Sequence, residues 1–422
     1  MAKGTALIKI LHTADVHLDS PLKSLALRNP ELRQLVEGAT RAAFSRIVDV
    51  AVTECVAALL IAGDLFDGKQ RSARTAAFLV GQLDRLRTAG IAVFYIKGNH
   101  DAENPITGGL ELPDNVHVFD ARGGKVPLGD DIWVHGVSFA DRHAPDSLLP
   151  KFPEPVAQAV NIAMMHTSLA GAAGHDVYAP CALGDLLAMN FDYWALGHVH
   201  KRQVHAEAPW VVMPGMPQGR DIGEAGPKSA SLLTLQDGAI RVDAVRTSEV
   251  EFAQSVVDAS DCETEDELRV ALRMHLQTVA QNCESPACVV RLTLTGATAL
   301  HWQILRDQDV WRAQIDDMAR DTDVLWIDKV VFDIAAPATP LSDGLQSAAN
   351  ATVELGETMG TVQAEQGFIH AARGEIDAIL GDMPASVRAR LLLDEDSADA
   401  LVKTAASNGA ARVLARMKGS VG

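Results

Sequence analysis

Three apolar runs in the first hundred residues each stop on a cluster of acids, amides or histidines. Residues 5–12 (TALIKILH) run into Asp15-Val16-His17, residues 57–62 (AALLIA) into Gly63-Asp64-Leu65-Phe66-Asp67, and residues 91–96 (IAVFYI) into Gly98-Asn99-His100-Asp101. Continuous apolar strands suit a sheet covered on both faces, because neither face meets water. Between them, residues 31–54 and 71–89 carry helical periodicity, and Ala89-Gly90 supplies a stop. This alternation predicts an α/β domain, and such folds place their sites at the strand ends along one sheet edge.

From residue 115 the pattern shifts to strands with short turns, at 116–119, 131–138, 160–166, 192–196, 210–213, 229–235 and 239–245. Asp237-Gly238 between the last two is a hairpin signal. Residues 1–249 therefore read as one domain, with two sheets. A second module over 250–335 has a helix near 265–281, a strand at 288–294, a helix at 301–320 and a strand at 324–333, which predicts a small α+β domain. Residues 335–340 (AAPATP) read as a linker. Residues 341–422 read as a helical tail. Gly381-Asp382-Met383-Pro384 breaks it before SVRARLLL and SADALVKTAASNGAARVLARM.

Two further pieces join the first three: Met165-His166-Thr167 and Gly197-His198-Val199-His200. A mixed set of carboxylates, imidazoles and one amide oxygen suits Mn²⁺, Fe²⁺ or Zn²⁺. It suits neither Ca²⁺, which prefers oxygen cages, nor a structural zinc site, which favours thiolates. Two such ions roughly 3.5–4 Å apart clamp a phosphate and activate a water.

The order D-x-H, G-D-x-x-D, G-N-H-D, a lone His, then G-H-x-H resembles the calcineurin-like metallophosphoesterases. HTADVHLDSPL, GDLFD, GNHD and MPGMPQGRDIGEAGPKSASLL are more narrowly similar to the SbcD/YhaO-type DNA repair exonucleases. The similarity is strong over 5–245, weaker over 250–335 and architectural beyond. It implies a four-layer α/β/β/α sandwich with a small α+β capping domain and a helical C-terminal tail. It implies a two-metal DNA nuclease, an exonuclease also able to nick hairpin or single-stranded DNA. Mn²⁺ is the foremost metal, with Fe²⁺ or Zn²⁺ as alternatives. By the same resemblance Asp15, His17 and His200 bind one ion, Asn99, His166 and His198 the other, and Asp64 bridges them. His100 is the catalytic histidine. Archaeal and eukaryotic relatives carry histidine where this chain has Asp67. Asp67 and Asp101 are expected to orient ligating histidines from behind. The implied partners are DNA, a SbcC/YhaN-like coiled-coil ATPase docked on the tail, and a second copy of the chain.

Taken singly, several of these residues have plainer readings. His12 and His205 read as core or strand histidines, and His135 and His143 have no assignment. Lys69, Arg71, Arg74, Arg142, Lys201, Arg202 and Arg220 are candidates for the phosphates flanking the scissile one, Arg220 foremost. Protein phosphatases of this kind usually carry G-D-x-x-D-R-G and G-N-H-E, whereas this chain has GDLFDGK and GNHD. A small-nucleotide phosphodiesterase or phosphatase is the first alternative. A non-catalytic scaffold for an ATPase is the second.

Charge and composition narrow the class further. The net charge of −18 excludes a basic nucleic-acid coat protein, and the acidic excess is densest over 251–340. No apolar run is long enough to span a bilayer, and the opening MAKGTALIKILHTADVH does not read as a signal peptide. The five cysteines are scattered and odd in number, which fits free thiols in a reducing cytoplasm.

Overall fold

The structure is a computed structural model, and it describes residues 7–20, 30–67, 72–102, 110–169, 178–337, 355, 357–383 and 395–418. The chain divides into two compact units. The first is Met1–Gln254 with Ala280–Val290 and Val324–Asp328; the second is Ser255–Val279, Arg291–Asp323 and Lys329–Gly422.

The first unit holds two six-stranded sheets. One is built from β1 (Ile8–Thr13), β2 (Ala58–Ala62), β3 (Ala92–Ile96), β4 (Val116–Val118), β11 (Ser229–Gln236) and β12 (Ala239–Arg246), in the order β12-β11-β1-β2-β3-β4. The other holds β5 (Gly124–Pro127), β6 (Ile132–Val137), β7 (Val160–His166), β8 (Tyr193–Gly197), β9 (Gln203–Glu207) and β10 (Trp210–Met213), in the order β5-β6-β7-β8-β10-β9. In each, the central strands are parallel, as crossover connections require.

Strand alternation sorts the apolar side chains into layers. Ala58, Leu60 and Ala62 of β2 and Phe94 and Ile96 of β3 face inward, meeting Ile162 and Met164 of β7 and Tyr193 and Ala195 of β8. Leu59, Ile61, Val93 and Tyr95 face outward beneath helices α1 (Pro30–Thr53) and α2 (Ala73–Thr88). On the far side, Ala163, Met165, Trp194 and Leu196 are covered by the short helix α4 (Leu183–Ala188) and by loop residues such as Phe152 and Tyr178. This is the expected α/β/β/α order, with a thin fourth layer. The N-terminus of α2 is fixed by Ser72, whose hydroxyl accepts from the Thr75 backbone N–H at 3.3 Å. Arg85 and Arg87 in its last turn complement the helix dipole.

A third sheet, β13-β14-β15, comprises Val250–Asp258, Ala287–Ala297 and Leu325–Ala335. The division between the compact units crosses its strands rather than falling at 249/250. In the second unit α5 (Glu265–Asn282) buries Leu268, Leu272 and Leu276 at four-residue spacing. The expected helix at 301–320 is two helices, α6 (His301–Arg306) and α7 (Gln308–Arg320), interrupted at Asp307 with φ −110° and ψ 30°. Asp307 is a poor interior helix residue, and its carboxylate takes the Arg306 guanidinium instead. In the tail, α9 (Glu395–Lys418) packs on α6 and on α8 (Gln366–Gly381), with Val402 and Ala415 buried and Arg412 paired to Asp309. The expected helix SVRARLLL and the second half of the AAPATP linker, residues 338–340, lie outside the described residues. No described helix is long and apolar enough to cross a membrane.

Candidate metal centre

The carboxyl ends of five strands bring the motif residues together. Asp15 and His17 follow β1, Asp64 follows β2, and Asn99 and His100 open the single-turn helix α3 (Asn99–Ala102) after β3. His166 is the last residue of β7, and His198 and His200 follow β8. One sheet thus supplies the aspartates and the amide, and the other supplies three histidines.

The loops are held in unusual backbone. Asp15, His17, Asp64 and His198 all have positive φ (53°, 45°, 51° and 103°), a conformation that costs of order 1–3 kcal/mol each unless the surroundings enforce it. They do enforce it here. Asp15, His17 and Leu18 donate their backbone N–H groups to the Gly63, Asp64 and Leu65 carbonyls, all at 3.0 Å, so the first two loops run locked together. The motif glycines clear space for His166. Gly63 has φ +93°, and a Cβ there would collide with the His166 ring. A Cβ on Gly197 would strike both that ring and the Ala62 carbonyl.

Hydrogen bonds then fix which ring nitrogens face inward. His166 Nδ1 donates to the Ala62 carbonyl at 2.9 Å, leaving Nε2 3.2 Å from Asn99 Oδ1 and 3.5 Å from Asp64 Oδ2. His200 Nδ1 donates to Glu224 Oε1 at 2.6 Å, leaving Nε2 3.3 Å from His17 Nε2. Asp64 Oδ2 lies 3.9 Å from His17 Nε2 as well, so this carboxylate faces both groups. Asp15, His17 and His200 converge within 4.8 Å, and so do Asp64, His166 and His198. Once the outward nitrogens have donated, the inward atoms of each group are mostly acceptors. Each group calls for a proton or a metal ion at its centre, so the donor set fits two cations.

The electrostatics point the same way. Burial pushes the Asp15 carboxyl up, against the pull of His166 and His200. Burial drives His17 well below its ordinary value, so its imidazole is neutral and able to ligate. Burial opposes charge on Asp64 and on His166 too, but their mutual attraction wins. It lowers Asp64 and, aided by Asp15, raises His166 to about 9. A divalent cation would satisfy the same acidic cage that now favours a proton on His166.

Around this core, some expectations change. Asp101 turns its carboxylate to the backbone of two loops. It is fully buried, and its carboxylate accepts the backbone N–H of Phe66 and of Gly98, each at 3.0 Å. It ties the Asp64 loop to the Asn99 loop, and burial together with the Asp64 charge lifts it to about 6. Asp67 Oδ1 lies 3.7 Å from His17 Nδ1 and 3.5 Å from His100 Nδ1, beside both rings but beyond hydrogen-bond length. His100 is 32% exposed at the rim, its ring 5.0 Å from that of His17. Arg220 is not a free phosphate clamp. Its guanidinium pairs with Glu224 at 3.1 Å. Arg202 is half-buried and donates to Ser231 Oγ at 2.6 Å, Arg142 is exposed, and Lys69 and Arg71 lie outside the described residues. His12 is a core histidine, bonded to the Tyr193 hydroxyl at 2.9 Å and the Leu196 carbonyl at 3.1 Å.

Glu224 is the residue the motifs do not reveal. It sits in a short 3₁₀ turn, and burial against its charge is overcome by His200 and Arg220, which hold it down at about 2. It fixes the tautomer of His200 and raises the basicity of Nε2. Glu224→Gln should therefore weaken metal binding by about 10–100-fold with the fold intact. Calorimetric metal titration beside circular dichroism checks this, and unchanged affinity would remove Glu224 from that role.

Known proteins share this arrangement in sequence. Residues 8–202 match the calcineurin-like phosphoesterase family, and residues 252–335 match the middle domain of metallophosphoesterase YhaO. Metallophosphoesterase YhaO of Bacillus subtilis (strain 168) is 33% identical over 340 residues, covering 74% of this chain and 81% of that protein. The DNA double-strand break repair protein Mre11 of Sulfurisphaera tokodaii is 27% identical over 206 residues, covering 46% of this chain and 50% of its own length. Mre11 of Methanosarcina mazei is 25% identical over 301 residues, covering 68% of this chain and 45% of that protein. The chain thus spans about half the length of these archaeal relatives.

Proposed function

Because the chain belongs to the YhaO-type calcineurin-like metallophosphoesterases, we propose that it hydrolyses DNA phosphodiester bonds as a two-metal nuclease in DNA repair. The observation that carries this reading is the convergence of Asp15, His17, Asp64, Asn99, His166, His198 and His200 from two sheets, with His100 at the rim. A scaffold would have no use for buried, mutually dependent charges, which cost several kcal/mol unless compensated.

Asp15, His17 and His200 would hold one ion, Asn99, His166 and His198 the other, with Asp64 shared. Two divalent ions, Mn²⁺ foremost and Fe²⁺ or Zn²⁺ as alternatives, would supply Lewis acidity at the phosphoryl oxygens and an acidified water. His166 would have to be neutral at Nε2 to hold its ion. His100 presents Nδ1 to Asp67, which leaves Nε2 to steady the phosphoryl charge or protonate the leaving oxygen. The wider assembly in this reading contains a second copy and a SbcC/YhaN-like coiled-coil ATPase in the cytoplasm. The exposed Leu401, Val413 and Met417 on α9 offer apolar surface for that ATPase.

The test is degradation of end-labelled linear DNA with Mn²⁺, beside bis(p-nitrophenyl) phosphate. DNA shortening that stops with chelator supports the nuclease. Hydrolysis of the small diester with DNA left intact, with and without the ATPase, would make the chain a small-molecule phosphodiesterase instead.

A further inference from the structure

A cavity of about 250 Å³ lies beside His200, walled also by Lys201, Arg202, Pro214, Lys228 and Ser229. Three of these residues are cations, in a chain whose net charge is −18. Among the described residues, none of the three forms an ion pair. Arg202 spends one nitrogen on Ser231 Oγ, and Lys228 Nζ donates to the Ala225 carbonyl at 2.9 Å. The nearby carboxylates are committed elsewhere: Glu224 to His200 and Arg220, and Glu251 to the Glu284 backbone N–H at 3.2 Å. Burial lowers the Lys228 pKa and the Lys201 charge lowers it further, against Glu224 and Glu251. Among the described residues none of the three cations has a carboxylate within ion-pair distance, so an anion seated in the concavity would meet all three and offset their mutual repulsion.

We propose that this cavity is the subsite for the phosphate next to the scissile one in a single nucleic-acid strand. The subsite rests on the nuclease reading above and gives its substrate a direction, with the strand leaving the metal centre past His200. At about 250 Å³ the cavity is far larger than a single water needs, with room for a phosphate and its sugar. Two lysines and an arginine without a carboxylate partner read the backbone and not the base, so the subsite should be indifferent to sequence.

The test reads binding in chelator, without metal. A fluorescein-labelled oligothymidylate is titrated over a range of salt with the intact chain, with Lys228→Gln, with Lys201→Gln, and with Arg241→Gln as a control on the exposed strand β12. Each pocket variant should bind more weakly, with a log affinity against log salt slope shallower by about 0.7. The control should match the parent, and all four should share one melting temperature. Unchanged affinity and slope in both lysine variants, or an equal loss in the control, would overturn the subsite. Displacement of the oligomer by equimolar inorganic phosphate would reassign the cavity to free phosphate and overturn it too. A parent chain that binds through these lysines yet cleaves no DNA would retire the nuclease, overturn the placement beside a scissile phosphate, and leave the cavity as a nucleic-acid phosphate site.

Discussion

Asp64→Asn should abolish phosphodiester hydrolysis, by about 10³-fold or more. The substitution keeps the side-chain volume and an oxygen that accepts the His100 backbone N–H, a bond of 2.9 Å in the parent. What it removes is the negative charge that faces both histidine groups, 3.5 Å from His166 and 3.9 Å from His17. A two-metal clamp supplies several kcal/mol of charge stabilisation, and each 1.36 kcal/mol is about tenfold in rate. The same change should lower bound metal below two ions per chain by elemental analysis. Retention of both ions and of activity would show that Asp64 is not shared between them.

His100→Ala should separate chemistry from metal binding. The ring stands at the rim, where it groups with His17 and Asp67, and it belongs to neither of the two groups that contain Asp15 and Asp64. Metal content should stay at its parental value while kcat falls by about 10²–10⁴-fold, the usual worth of a positioned general acid. The KM for a small diester should change little, because the proton acts in the transition state. A parallel loss of metal would make His100 a ligand instead, and the acid would have to be sought elsewhere.

The inner ring of this site is readable in the sequence for a physical reason. Metal ligands need fixed side chains at strand ends, and the strands before them are buried on both faces, so apolar run and polar stop stand side by side. The glycines belong to the same signal, since His166 leaves no room for a Cβ at Gly63 or Gly197. Edge strands leave a weaker trace because they bury little. β5 carries Pro127 and β9 is polar and mostly exposed, so neither shows a core pattern. Glu224 and Arg220 stay ambiguous in sequence because one dimension cannot show that they face each other over His200. Asp101 is hard to read for a related reason: two of its partners are the backbone N–H groups of Phe66 and Gly98, which leave no mark on residue identity.

The candidate ligands divide between two sheets whose separation is set by Leu60, Phe94, Ile96, Met164 and Ala195. These apolar side chains therefore act as the gauge of the centre. A methylene added or lost there moves one half-site against the other without altering any ligand, so the interior of the sandwich sets the spacing on which an in-line attack at phosphorus depends.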